Sequence, residues 1–256
     1  MHTENIETEI YGKGEAQEKL AAEKSKMEKV ILGSAEALLD SQANKIGFGN
    51  TAEVHFLDEN SEHCFKIISE TTKHSTILRS KERPRGQKCH PLPKEARFLD
   101  ELQDIHSTVR VPVPFYTIVR ESVDEEGDDY KQEKISIFAM ERLNAVSVND
   151  VIEGLKPMPK AFRTEVFFKE LRSFFEVMHR KGVHHRDAHE GNIMIDIETG
   201  MPYVVDFGLA AYGTSGEEQE VYREVSIRGA VIIYPNDFSS TDKVERKVNA
   251  YLTSFK

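Results

Sequence analysis

Apolar residues recur at every second position in short runs up to Met140, and at every third or fourth position beyond Asn144. A period of two belongs to a half-buried strand, and a period near 3.6 to a helix with one buried face. The first part of the chain therefore predicts strands at Asn44–Ile46, Ala52–Leu57 and His63–Ile68, a helix at Lys94–Gln103, and strands at Pro114–Glu121 and Ile135–Met140. The acidic, glycine-containing stretch Asp124–Asp129 predicts an exposed hairpin tip. Ahead of these lies Glu15–Leu32, rich in Ala, Glu, Lys and Leu, with Leu20, Met27 and Ile31 on one face. It predicts a leading helix ended by Gly33, either packed as an extension or offered to a partner.

In the second part, Ser147–Leu155 predicts a short helix and Ala161–Lys181 a longer one. Phe162, Val166, Phe167, Leu171, Phe174, Phe175 and Met178 are assigned to its buried face, and His179 near its end reads as a structural histidine. Two short strands follow, Ile193–Asp196 and Tyr203–Val205, joined by a turn that Gly200 and Pro202 mark. Gly216–Val225 and Thr241–Phe255 predict helices, the last with Val244, Val248, Tyr251, Leu252 and Phe255 on one face.

A length of 256 residues suits one domain of two lobes or two small domains. With 39% hydrophobic residues, 14 Phe and 8 Tyr among them, burial offsets chain entropy over most of the length, which excludes global disorder. No stretch approaches a membrane span. Met1–Ile10 is polar and acidic, without the basic and apolar regions of a secretory signal, so the default address is the cytoplasm. Cys64 and Cys89 are too few for a disulfide framework and lack metal-site spacing. A formal charge of -10, from 34 basic and 44 acidic residues, argues against nucleic acid as a partner. Between Arg79 and Lys94, six bases face one acid, Glu82, in a Pro- and Gly-marked stretch that reads first as a solvated loop and, as the alternative, as a docking surface for an acidic partner.

The chemistry-bearing residues concentrate in two runs. One is Val183-His184-His185-Arg186-Asp187-Ala188-His189-Glu190-Gly191-Asn192; the other, fourteen residues after Asn192, is Asp206-Phe207-Gly208. Phosphoryl transfer needs a carboxylate near the attacking hydroxyl and oxygen ligands for a metal, with little covalent work from the protein. Asp187, Asn192 and Asp206 supply those groups in that order. Upstream, Gly47-Phe48-Gly49-Asn50-Thr51-Ala52-Glu53-Val54 is a glycine-rich turn between two strands, suited to bringing backbone amides near phosphate oxygens. Lys66 is a cation inside the apolar strand Cys64–Ile68, costly to bury unless paired. Glu95, at the start of the next helix, is within reach as its partner.

Taken together, these residues resemble the eukaryotic-type protein kinase family, whose parts run in this order: glycine loop, strand lysine, helix glutamate, catalytic loop, Asp-Phe-Gly. The resemblance covers about Ile46 to Leu209. It implies an α+β, two-lobed kinase-like fold with an antiparallel-sheet N-lobe over 41–143 and a reduced helical C-lobe over 144–256, after a helical extension over 1–40. It implies ATP and Mg²⁺ as cofactors and a protein hydroxyl as acceptor, Ser or Thr before Tyr. Asp187 would be the base, Lys66 the phosphate clamp held by Glu95, and Asn192 and Asp206 the metal ligands. Gly47, Phe48, Gly49 and Val54 would cover the nucleotide, with Met140 as gatekeeper and Glu141 and Leu143 as hinge residues.

The departures concern the substrate and its control. Ala52 replaces the third loop glycine, and His189 stands where serine/threonine kinases usually place a lysine. His189-Glu190-Gly191-Asn192 leans toward the loop of aminoglycoside and choline kinases, so a small-molecule kinase is the alternative, and a kinase-like binding module a second one. Only 48 residues follow Gly208, with no Ala-Pro-Glu motif, so a full activation segment and distal lobe are expected to be missing. In this the chain resembles RIO-type minimal kinases and the truncated kinases that bacterial pathogens inject into host cells, for which the address would be the host cytosol. Control by an activating protein partner or constitutive activity follows as the expectation, and Thr214, Ser215 and Tyr222 remain as hydroxyls open to modification.

Overall fold

The computed structural model describes residues 2–12, 17–18, 21, 32–33, 45–48, 53–55, 62–74, 92–126, 129–213, 221–225 and 231–254. It has the expected α+β character, and the chain divides into two compact units, Met1–Arg97 with Val113–Arg142, and Phe98–Pro112 with Leu143–Lys256. Among the described residues no helix is long and apolar enough to cross a membrane.

The first unit is built on a six-stranded antiparallel sheet of order β1-β5-β6-β4-β3-β2, from β1 (His2–Ile10), β2 (Lys45–Phe48), β3 (Glu53–His55), β4 (His63–His74), β5 (Pro114–Glu126) and β6 (Asp129–Glu141). Period-two alternation sorts the side chains. Phe65 and Ile67 of β4, Tyr116 and Ile118 of β5, and Ile135, Ile137 and Ala139 of β6 form one buried cluster, with Ile137 opposite both Ile67 and Ile118. Each fully buried isoleucine there contributes about 2 kcal/mol of transfer free energy. Lys66, between Phe65 and Ile67, points to the opposite face. The hairpin tip lies between Glu126 and Asp129, as its composition predicts, and the strands beside it run longer than expected.

The N-terminus departs from expectation at once. His2–Ile10 is not an extension but a strand, paired over its whole length with β5 from His2↔Asp124 to Ile10↔Tyr116. The helix expected at Glu15–Leu32 lies almost wholly outside the described residues, as do Cys89 and nearly all of the basic loop; Leu32 is described and joins the sheet's apolar cluster.

Helix α1 (Leu92–Leu102) carries Pro93 in its first turn, where the missing N–H costs nothing. Leu92, Ala96, Leu99 and Leu102 are buried. Glu95 sits three residues after Leu92 and four before Leu99, on the apolar stripe itself, so its carboxylate is carried into the interior by helix geometry.

The second unit contains α2 (Val148–Ile152), α3 (Thr164–Arg180) and α4 (Asp237–Thr253) with a three-stranded sheet of order β10-β9-β7, from β7 (Ala145–Ser147), β9 (Ile193–Asp196) and β10 (Pro202–Val204). Two small antiparallel pairs complete it: β8 (Val183–His184) with β11 (Ala211–Tyr212), and β12 (Arg223–Val225) with β13 (Val231–Ile233). In α3 the buried side chains are Phe167, Phe168, Leu171, Phe174, Phe175 and Met178. Val166 is exposed at 43%, against expectation, because it falls roughly 140° from the centre of that stripe while Phe168 falls within it. The helix expected over Gly216–Val225 is not formed at its end, where 223–225 are strand; 214–220, with Thr214 and Ser215, lie outside the described residues. α4 begins at Asp237 and not Thr241, since Asn236 caps it by accepting from the N–H groups of Phe238 and Ser239. Val244 and Val248 are buried as expected, and Phe255 lies outside the described residues.

Candidate active site

In the first unit the strand register lines up a row of candidate residues. Gly47 of β2 is the partner of Val54 in β3, which is the partner of Lys66 in β4, which faces Phe138 in β6. Phe48 ends β2 opposite Glu53, and Gly49 lies outside the described residues. Lys66, 8% exposed, donates from Nζ to Glu95 Oε1 at 3.0 Å and Oε2 at 2.8 Å, and Glu95 is 1% exposed. Neither charge would be tolerated there alone, so the strand lysine and the helix glutamate fix each other. Met140 is half-buried opposite Cys64. The Glu141 N–H donates to Val113 O, its carboxylate accepts from the Val113 N–H at 3.2 Å, and its carbonyl accepts from the Cys64 thiol at 3.5 Å. Leu143, half-buried, is the first residue of the second unit after Arg142.

In the second unit the loop after β8 is held by a residue that no local pattern announces. Asp237, fully buried at the start of α4, accepts the His185 N–H on Oδ2 at 2.9 Å and the Arg186 N–H on Oδ1 at 2.8 Å. Arg186 has φ 69°, in the left-handed region, which a non-glycine residue occupies only when its surroundings impose it. Asp237 imposes it. The same Oδ2 lies 2.8 Å from His179 Nε2, so His179 is the structural histidine its position suggested. His179, His184 and Asp237 lie close enough to share a cation, but the carboxylate is already surrounded by N–H donors and reads as a hydrogen-bonded hub. Burial alone would raise the Asp237 carboxyl; the His179 hydrogen bond, the nearby His185 and His179 rings and the His185 N–H outweigh it and hold it below its ordinary range.

Tyr222 closes the hub from the segment after Asp-Phe-Gly: its hydroxyl is 3.1 Å from His184 Nδ1 and donates to Asp237 Oδ2 at 3.3 Å. Tyr222 is buried and engaged, not an exposed hydroxyl open to modification. Beside it, the Tyr234 ring lies 3.5 Å from the Arg186 guanidinium carbon.

The loop orders its own candidate groups. His185 Nδ1 accepts the Asp187 N–H at 3.2 Å, so its proton is on Nε2, which donates to Val205 O at 2.9 Å. Asn192 Nδ2 donates to Asp187 O at 3.0 Å and Oδ2 at 3.2 Å. Asp206 is the second residue with left-handed backbone, φ 63°, and accepts the Gly208 N–H on Oδ1 at 3.3 Å. His189 Nδ1 accepts the Gly191 N–H at 3.0 Å, which puts its proton on Nε2, 3.8 Å from Asp187 Oδ2. Burial, aided by the Asp206 carboxylate, holds the Asp187 carboxyl above its ordinary range, against the lowering effect of His189, His185 and the Asn192 amide. The second unit thus gathers Asp187, Asn192 and Asp206, and the first gathers Gly47, Val54, Lys66 and Glu95. The roles of Asp237, Tyr222 and Tyr234 around this loop were not anticipated in the sequence, where Tyr222 was read as a hydroxyl open to modification and the last helix was placed four residues after Asp237.

Asn192 and Asp206 suit a hard divalent cation by donor chemistry. With the Asn192 nitrogen committed to Asp187, the amide oxygen is the atom left to it, and a carboxylate and an amide oxygen are typical Mg²⁺ donors.

A family model, that of the protein kinase domain, matches residues 41–228. The chain is 25% identical over 172 residues to serine/threonine-protein kinase PSK2 of Saccharomyces cerevisiae, covering 67% of this chain and 14% of that protein. It is 24% identical over 173 residues to serine/threonine-protein kinase PSK1 of the same yeast, covering 67% and 12%. The chain therefore spans a small part of the length of these curated relatives.

Proposed function

The chain belongs to the protein kinase domain family, and from that premise we propose that it transfers the γ-phosphoryl of ATP to a protein hydroxyl, serine or threonine before tyrosine. The observation that carries this reading is the Asp187–Asn192 pair. The amide that orients the Asp187 carboxylate belongs to the residue whose oxygen suits the metal, so base and metal ligand are set by one hydrogen bond. Mg²⁺, when bound, neutralises charge on the transferred phosphoryl and its leaving oxygens. Asp187 orients the acceptor hydroxyl and takes its proton, helped by the raised proton affinity that burial gives it. Lys66, held by Glu95, restrains the α- and β-phosphates, with Gly47, Phe48 and Gly49 as the residues proposed to cover them. Positioning of this kind supplies roughly 7 to 11 kcal/mol of a barrier. The serine/threonine preference is supported by the names of the two yeast relatives. Val54, Met140, Glu141 and Leu143 complete the proposed nucleotide contacts, and the cytoplasm is the proposed location.

The test is transfer from γ-labelled ATP with Mg²⁺ to a casein acceptor and to cell extract, comparing wild type with Lys66→Ala and Asp187→Ala. Label in protein with wild type alone, as phosphoserine or phosphothreonine, supports the reading. Label appearing in an added aminoglycoside or choline and never in protein moves the assignment to a small-molecule kinase. ATP binding without transfer to anything leaves a kinase-like binding module.

A further inference from the structure

We infer that Tyr11 and Glu9, at the end of β1, are positioning residues that hold the first turns of α1 so that Glu95 meets Lys66; this rests on the kinase reading above. β1 is anchored to the sheet by its ladder to β5, and the Tyr11 N–H extends that ladder by one bond to Phe115 O at 2.9 Å. From this fixed base two side chains reach the helix. The Tyr11 side chain, only 9% exposed, places its hydroxyl 2.7 Å from Glu9 Oε2, 3.2 Å from Thr117 Oγ1 and 3.3 Å from Pro93 O. Glu9 in turn accepts from Arg97 Nε at 3.0 Å and from Arg97 Nη2.

The attachment points are Pro93 and Arg97, two residues before and two after Glu95. A helix tethered on both sides of one residue cannot rotate about its axis without breaking a tether, and rotation is the motion that would carry Glu95 off Lys66. Thr117 explains why Tyr11 can do this from a buried position. It sits on β5 with 1% exposure, and its hydroxyl keeps the tyrosine oxygen satisfied in the interior. The Glu9–Arg97 pair is exposed and worth little alone; the Tyr11 hydroxyl, shared between that pair and the Pro93 carbonyl, joins the two tethers into one. The strand therefore supplies, from within the chain, a hold on the first turns of this helix.

The experiment is hydrogen exchange and ATP-dependent transfer on the full chain, for wild type, Tyr11→Phe, Glu9→Gln, Glu95→Gln and the Tyr11→Phe/Glu95→Gln double variant. Tyr11→Phe keeps the ring in place and removes the hydroxyl alone. A net hydrogen bond corresponds to a factor of about 2 to 12 in an equilibrium. The expected result is faster exchange by such a factor across 92–102 with 135–141 unchanged, a similar fall in kcat/KM for ATP, and no further fall when Tyr11→Phe is added to Glu95→Gln. Unchanged exchange in 92–102 overturns the inference, and so does an equal loss of activity in both backgrounds, which would mark Tyr11 as general packing. Should the wild type transfer no phosphate at all, the kinase reading falls by itself, and hydrogen exchange alone decides whether β1 holds the helix.

Discussion

Replacing Lys66 by methionine separates two consequences of one ion pair. At 2.8 Å and an effective dielectric near 20, the attraction between Lys66 and Glu95 is about 6 kcal/mol, most of it offset by the cost of taking both charges out of water. The net worth of the pair to stability is small. The cost of halving it is not: with the lysine gone, a carboxylate 1% exposed is left without its cation, which costs about 3 to 5 kcal/mol. For a unit of this size the melting temperature should drop by on the order of 10 °C. Changing both residues, Lys66→Met with Glu95→Leu, removes the stranded charge and should return stability to within about 1 kcal/mol of wild type. Transfer of phosphate should be lost in both variants alike. The assay is denaturant unfolding followed by circular dichroism, alongside transfer from labelled ATP. A single variant that melts within about 2 °C of wild type would refute the argument, because Glu95 would then be reaching water. A stable but active double variant would refute the clamp.

Three further outcomes follow from the same geometry. Because the folded chain holds the Asp187 proton more tightly than the unfolded chain, ionising this carboxyl costs stability as pH rises through its raised value; Asp187→Asn should therefore melt above wild type at about pH 7.5, with the gap closing by about pH 4, and a variant that melts lower at neutral pH would contradict the buried charge. Asp237→Ala strands the His185 and Arg186 amides and should cost about 3 kcal/mol or more with loss of transfer, read from the denaturant midpoint; since the Asp237 carboxyl is held low, its contribution in the wild type is present above the ordinary carboxylate range and disappears on acidification through the lowered value. Burial pushes the Cys64 thiol up to about 12, so iodoacetamide at about pH 8 should leave it unmodified in the folded chain and alkylate it in urea, as peptide mass spectrometry would show.

The parts of this architecture that were legible in the sequence are those whose pattern is local. β4, β6 and α3 announce themselves through apolar period, and the run Val183–Asn192 through residue types at fixed spacing. What escaped depends on partners far along the chain. β1 has only Ile6 and Ile10 as apolar residues, because an edge strand pairs through its backbone and buries little, so its composition reads as a solvated tail. Asp237 looks like any acid near a helix start; its meaning comes from amides about fifty residues upstream. Val166 was misplaced by one helical step, since a run of adjacent aromatics leaves the edge of the stripe ambiguous until the helix phase is known. At Arg223–Val225 a backbone pairing with β13 overrode local helical preference.

β1 is also the outer margin of the sheet among the described residues, and its composition guards that margin. An edge strand invites pairing with a second copy of itself, and nine residues is ample length for such a mistake. Here a second copy paired along this edge would bring Glu4, Glu7 and Glu9 near the same three acids of its partner strand, with His2 as the one residue of the strand able to carry positive charge. The acidity that makes this segment look unstructured in one dimension is what disfavours such a pairing in three.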